Sequence, residues 1–153
     1  MASTGDNSKQ ALVEGLNGLL ADHFALYIKT KNFHWHVKGP RFRDLHLLFD
    51  EQAVQIQGQI DIIAERVRKN DAKTLTSLSS IMAATSVAEE NSTEVDADAM
   101  VKQLHDDNAA LVASLKALKE AADKAGDNAT DGLIDDWTDM AEERVWFLKS
   151  FLG

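Results

Sequence analysis

The sequence predicts an all-α protein: a bundle of four long helices in which the connection between the second and third is much longer than the other two. Three observations lead there. Apolar residues recur every three or four positions through four long segments, the period of a helix with one face turned to a core. No run alternates polar and apolar as a half-buried strand does. The strongest breakers stand between those segments: the single proline, Pro40, directly after Gly39, and the Gly126-Asp127-Asn128 stop-and-restart. A chain of 153 residues is the usual size of one domain with one core.

Each element follows in order. Residues 1–8 read as a short polar tail before the domain proper, 9–153. The first helix carries Leu12, Leu16, Leu20, His23, Tyr27 and His34 on one stripe. The second runs from about Arg41 to Lys69, its apolar face made by Leu45, Phe49, Ala53, Ile56, Ile60, Ile63 and Val67. The Ser/Thr-rich segment Thr74 to Ser80 leaves little room for a long helix, so 70–92 reads as a crossover with at most one short helix. The third helix spans about Asp96–Lys124, with Val101, Leu104, Asn108, Leu111, Leu115, Leu118 and Ala122 in register. The fourth spans about Thr130–Phe151, with Leu133, Trp137, Met140, Leu148 and Phe151 turned inward.

Composition narrows the chemistry. With no cysteine, disulfides, thiolate metal sites and thiol catalysis are excluded, so any metal must be held by His, Asp and Glu. No apolar run reaches membrane-spanning length. The N-terminus has neither a basic start nor an apolar segment, so no export signal is read and a cytoplasmic protein is expected. A net charge of -9, from 25 acidic and 16 basic residues, attracts cations and repels phosphate backbones and membrane headgroups.

The second helix carries the clearest constellation. His46 and Asp50, and again Asp61 and Glu65, are spaced i, i+4, which puts each pair on neighbouring turns of one face. At about 100° per residue all four fall within an arc of roughly 100°. Imidazole with carboxylate suits iron, manganese or zinc better than calcium. The plain alternative is a solvated charged face, in which Glu65 pairs with Lys69; Asp61 has no basic residue three or four positions away. Asp50 and Asp61 are 11 residues apart in the sequence, roughly 16 Å along a helix. One metal cannot span that gap. If the four act together, a second copy of this helix must lie antiparallel across a two-fold axis, giving two equivalent sites per dimer. His34, in the ring-rich run Phe33-His34-Trp35-His36, is a candidate third ligand from the neighbouring helix or else a satisfied core histidine. No Glu is followed by His three residues later, so the interior di-iron motif of common helical bundles is absent.

The run Lys31-Asn32-Phe33-His34-Trp35-His36-Val37-Lys38-Gly39-Pro40-Arg41-Phe42, then Leu45-His46, Phe49-Asp50 and Asp61 to Ala64-Glu65-Arg66, resembles the signature of the Dps family, the miniferritins of the ferritin-like superfamily. Trp146-Phe147-Leu148 is similar as well. The resemblance implies a ferritin-like bundle with a short helix in the crossover, assembled as a hollow dodecamer. It implies an enzyme, a ferroxidase that oxidises Fe(II) with hydrogen peroxide or O2 and stores Fe(III) within. Carried over residue by residue, His34, His46 and Asp50 of one subunit meet Asp61 and Glu65 of its two-fold mate, with Trp35 beside them to absorb radical damage. His36 stands where many members have Asn and is a candidate extra contact. Asp127 and Asp131 resemble an iron-entry pore; the alternative is helix N-terminal acids favoured by the dipole. DNA compaction is the competing function. It is disfavoured by the net charge and by an N-terminal stretch with no basic cluster. A purely structural bundle is the third reading.

Overall fold

The computed structural model describes residues 4–153, with side chains from residue 7 onward. Five helices follow one another: α1 (Thr4–His36), α2 (Phe42–Lys69), α3 (Leu78–Ala84), α4 (Ala97–Ala125) and α5 (Asn128–Leu152). No strand occurs among the described residues. Helix α1 begins at Thr4, so residues 4–8 extend the helix where the composition suggested a tail. The remaining boundaries fall within two residues of those read from the periodicity.

The joints explain themselves locally. Gly39 closes α1 with φ +112°, a conformation that costs a side-chain-bearing residue and costs glycine little. Gly126 does the same for α4 at φ +70°, its N–H returning to Ala122 and Asp123 carbonyls. Asp96 caps α4 by accepting from Ala99 N, and Ser77 and Ser80 cap α3 reciprocally.

Helix α1 packs on α2 and on α4, and α4 packs on α5, around one core. Phe33 and Phe49, both fully buried with ring centroids 6.4 Å apart, lock α1 to α2 just below the joint. Truncating either to Ala would cost about 3–5 kcal/mol. Helices α2 and α5 run antiparallel and meet through a polar seam. Arg41 donates to Phe151 O, Gln55 accepts from Arg144, and Arg66 reaches Thr130 and Asp127. The inward stripe of α5 is Ile134, Trp137, Ala141, Arg144 and Leu148; Leu133, Met140 and Phe151 are only partly buried.

The crossover is held by polar contacts to α1. Asn17 binds Lys73 O and Thr74, Asp22 accepts from Thr85 and Ser86, and Lys29 and Asn32 donate to the carbonyls of Ala88 and Glu90. These side chains supply partners that an irregular segment lacks within itself. Lys29, nearly fully buried, also pairs with Asp107 of α4 at 2.8 Å.

Candidate metal site

The end of α1 and the start of α2 hold two histidines face to face. The His34 and His46 rings stack with centroids 3.9 Å apart and planes 15° apart, and Phe42 also stacks on His46 at 5.0 Å. Each Nδ1 donates to the other residue's backbone carbonyl, at 2.6 Å from His34 and 2.7 Å from His46. A carbonyl only accepts, so both rings carry their proton on Nδ1 when neutral, and both Nε2 lone pairs remain for another partner. Backbone carbonyls that fix the tautomer in this way are the usual support of metal-binding histidines.

Asp50 lies one turn beyond His46. Its Oδ1 is 3.9 Å from His34 Nε2 and 2.8 Å from Lys31 Nζ. The Lys31 hydrogen bond holds the Asp50 pKa below the ordinary carboxylate value, with smaller help from the two histidines. The Lys31 ammonium also lies 5.9 Å from the centroid of the Trp35 ring, which is 57% exposed. Lys31 is the residue that sequence reasoning missed. It stands within the signature run, but its direction toward Asp50 is a tertiary fact.

Asp61 and Glu65 lie exposed on the other half of α2, outside every ion pair of the described residues. The Glu65–Lys69 pairing therefore does not form. Asp61 borders a cleft of about 470 Å³ between α1, α2 and the crossover, walled by Leu20, Phe24, Ile60, Leu75 and Ile81. Beside it, Ile28, Leu78 and Met82 are 55%, 81% and 62% exposed, an apolar face along α1 and α3. Among the described residues no three His, Asp or Glu side chains converge within one chain. His34 thus touches His46 and approaches Asp50, without the three converging on one point, and Asp61 and Glu65 lie on the other half of α2.

The sequence and the fold match a family. A ferritin-like domain model spans residues 13–153. The DNA protection during starvation protein of Brevibacillus brevis is 36% identical over 137 residues, covering 90% of this chain and 91% of that protein. This chain belongs to the Dps family of ferritin-like proteins. Among solved structures, Dps from Thermosynechococcus elongatus aligns with TM-score 0.95 at 27% identity, covering 99% of this chain and 96% of that one. A Dps protein from Bacillus brevis aligns with TM-score 0.92 at 33% identity over the full length of both. The all-α, ferritin-like bundle with a helix in its crossover is therefore the family's fold, and no helix of the described residues is long and apolar enough to cross a membrane.

The remaining candidates sit as follows. His36 is exposed, its Nδ1 held by the carbonyl of Asn32 at 2.9 Å and that residue's side-chain Oδ1 at 2.7 Å. Asp127, offered by the sequence as a pore acid or a helix N-terminal acid, is the N-cap of α5. Its two oxygens accept from Arg66, Thr130 and Asn70, and its side chain is 10% exposed. Burial opposes its charge, but the bonds from Thr130, Asn70 and Arg66 outweigh it and hold the pKa well below the usual range. Asp131 pairs with Lys119, which also binds Asp135 at 2.7 Å.

Proposed function

We propose that this chain is a miniferritin subunit that oxidises Fe(II) with hydrogen peroxide or O2 and stores the Fe(III) product inside a dodecameric shell. The observation that carries this reading is the reciprocal His34–His46 arrangement beside Asp50. Two imidazoles with Nε2 uncommitted and one carboxylate nearby would supply half of a first-row metal site. Asp61 and Glu65, hard and uncompensated, are the fitting other half, supplied by a second copy across a two-fold axis. The apolar face of Ile28, Leu78 and Met82 beside Asp61 supports such a partner, since exposed patches of this kind mark interaction surfaces.

Iron is the substrate here. Hydrogen peroxide takes two electrons, one from each of two Fe(II), and its O–O bond breaks to give two hydroxide equivalents. The protein's share is to bind and orient. Carboxylates favour Fe(III) over Fe(II), and a small ligand set leaves room for the oxidant. Trp35, exposed beside Lys31, would take up a stray oxidising equivalent.

Replacing Asp61→Asn and Glu65→Gln together is expected to abolish fast Fe(II) oxidation, followed by absorbance after anaerobic loading, while helicity and assembly persist. Oxidation at the parent rate would remove these two residues from the site. A DNA-compacting role, invited by the name of the Brevibacillus relative, is disfavoured by the net charge of -9. DNA compaction predicts a salt-sensitive gel shift with linear duplex at neutral pH, whereas an acidic iron-storing shell produces none.

A further inference from the structure

The interior of the bundle contains a charge that the surface site does not use. Arg144 of α5 is 3% exposed, donates from Nε to Asn108 Oδ1 at 2.8 Å and from Nη1 to Gln55 Oε1 at 2.7 Å, and has no carboxylate partner among the described residues. Gln52 donates to Arg144 O at 3.4 Å, and its own Oε1 is buried without a partner. His23 of α1 is 1% exposed, close enough for the guanidinium to disfavour its protonation. Each long helix thus sends a polar side chain inward to one centre. Glu143 is near enough to favour the charge but makes no direct pair with it, so a cation this buried is costly and its retention calls for an explanation.

Spacing supplies one. Di-iron carboxylate bundles hold metal in the interior with one carboxylate from each of two helices and an i, i+3 Glu-x-x-His pair from each of the other two. Here α1 and α4 supply single residues, His23 and Asn108. Helix α2 supplies the i, i+3 pair Gln52 and Gln55, and α5 the i, i+3 pair Ala141 and Arg144, both buried. The frame is that of a di-metal centre, but neutral amides replace the carboxylates and a guanidinium supplies the positive charge. We propose that Arg144 is the interior's resident cation, stapling the helices where a di-iron bundle would hold metal and closing the core to iron. This goes beyond the surface-site reading and stands or falls separately from it.

The test uses the full chain with the surface ligands silenced by His46→Ala and Asp61→Asn, so that tightly held Co2+ reports the interior. The silenced chain should hold no interior Co2+. Adding Gln52→Glu, Gln55→His, Ala141→Glu and Arg144→His should create a tight site, seen by visible absorption. Saturating Co2+ should then raise the melting temperature by about 5–10 °C. In parallel, Arg144→Met leaves the Asn108 and Gln55 oxygens without a donor and should lower melting by roughly 5–10 °C, with part of the loss recovered by Arg144→Lys. Interior Co2+ in the silenced chain, a folded fourfold variant that ignores Co2+, or an Arg144→Met chain that melts with the parent each overturns the proposal. Should the fourfold variant fail to fold, the Met and Lys pair decides alone.

Discussion

His23 makes the bundle sensitive to acid in a way that can be calculated. Its ring is buried, its Nδ1 donates to Leu19 O at 2.9 Å, and burial with the nearby Arg144 lowers its pKa to about 4 from 6.5. A neutral histidine in the fold and a titrating one in the unfolded chain mean that the unfolded state binds more protons below pH 6.5. Stability from this residue is therefore full above that value and is lost as the pH falls toward 4. Linkage over 2.5 pH units gives a loss of about 3 kcal/mol between pH 7 and pH 4, with roughly half gone by pH 5.5. His23→Asn can keep the bond to Leu19 O, as Asn108 bonds Leu104 O, and cannot titrate. Urea unfolding of both chains at pH 7, 5.5 and 4 measures the difference directly, because every other group cancels. The parent's advantage over the variant should shrink by about 3 kcal/mol across that range. A difference that stays flat with pH would refute the buried, neutral assignment.

Two further outcomes follow from side chains at the ends of the bundle. Lys31→Met removes the ammonium that competes for Asp50 and should tighten Mn2+ or Zn2+ binding about two- to fivefold by anaerobic calorimetry, the worth of an exposed charge pair; weaker binding would make Lys31 a support of the site instead. Asp127→Ala removes both the cap of α5 and the partner of Arg66, and should cost about 2–4 kcal/mol at pH 7 by chemical unfolding. Because the folded Asp127 pKa is depressed, that cost should persist above the unfolded value near 4 and fade only as the pH drops below it. A cost under 0.5 kcal/mol, or one unchanged at pH 2, would contradict the capping network.

The features legible in the sequence are those that repeat at helical period. The apolar stripe of α2, the Gly39-Pro40 break and the two i, i+4 candidate pairs all lie on one element or at its end, where spacing alone fixes geometry. The phase of α5 is harder. The inferred stripe runs through Leu133 and Met140, whereas Ile134, Ala141 and Arg144 face the core, and a buried arginine gives no apolar signal to set the phase. The crossover's anchorage to Asn17, Asp22, Lys29 and Asn32 joins residues more than 50 positions apart, which no local pattern encodes. Asp127 shows the opposite difficulty: an acid at a helix start fits several roles, and its bonds to Arg66 and Asn70 join residues more than 50 positions apart.

Completion of the site by a second copy is tested most directly by mixing two defective subunits. One lacks His46 and Asp50, the other Asp61 and Glu65, and they are dissociated and reassembled together. Each alone should be inactive. Every mixed dimer regains one complete site and loses both halves of the other, so random pairing should restore roughly a quarter of parental Fe(II) oxidation. A site built within one chain would give no rescue, and that result would contradict the shared site while leaving the bundle as described.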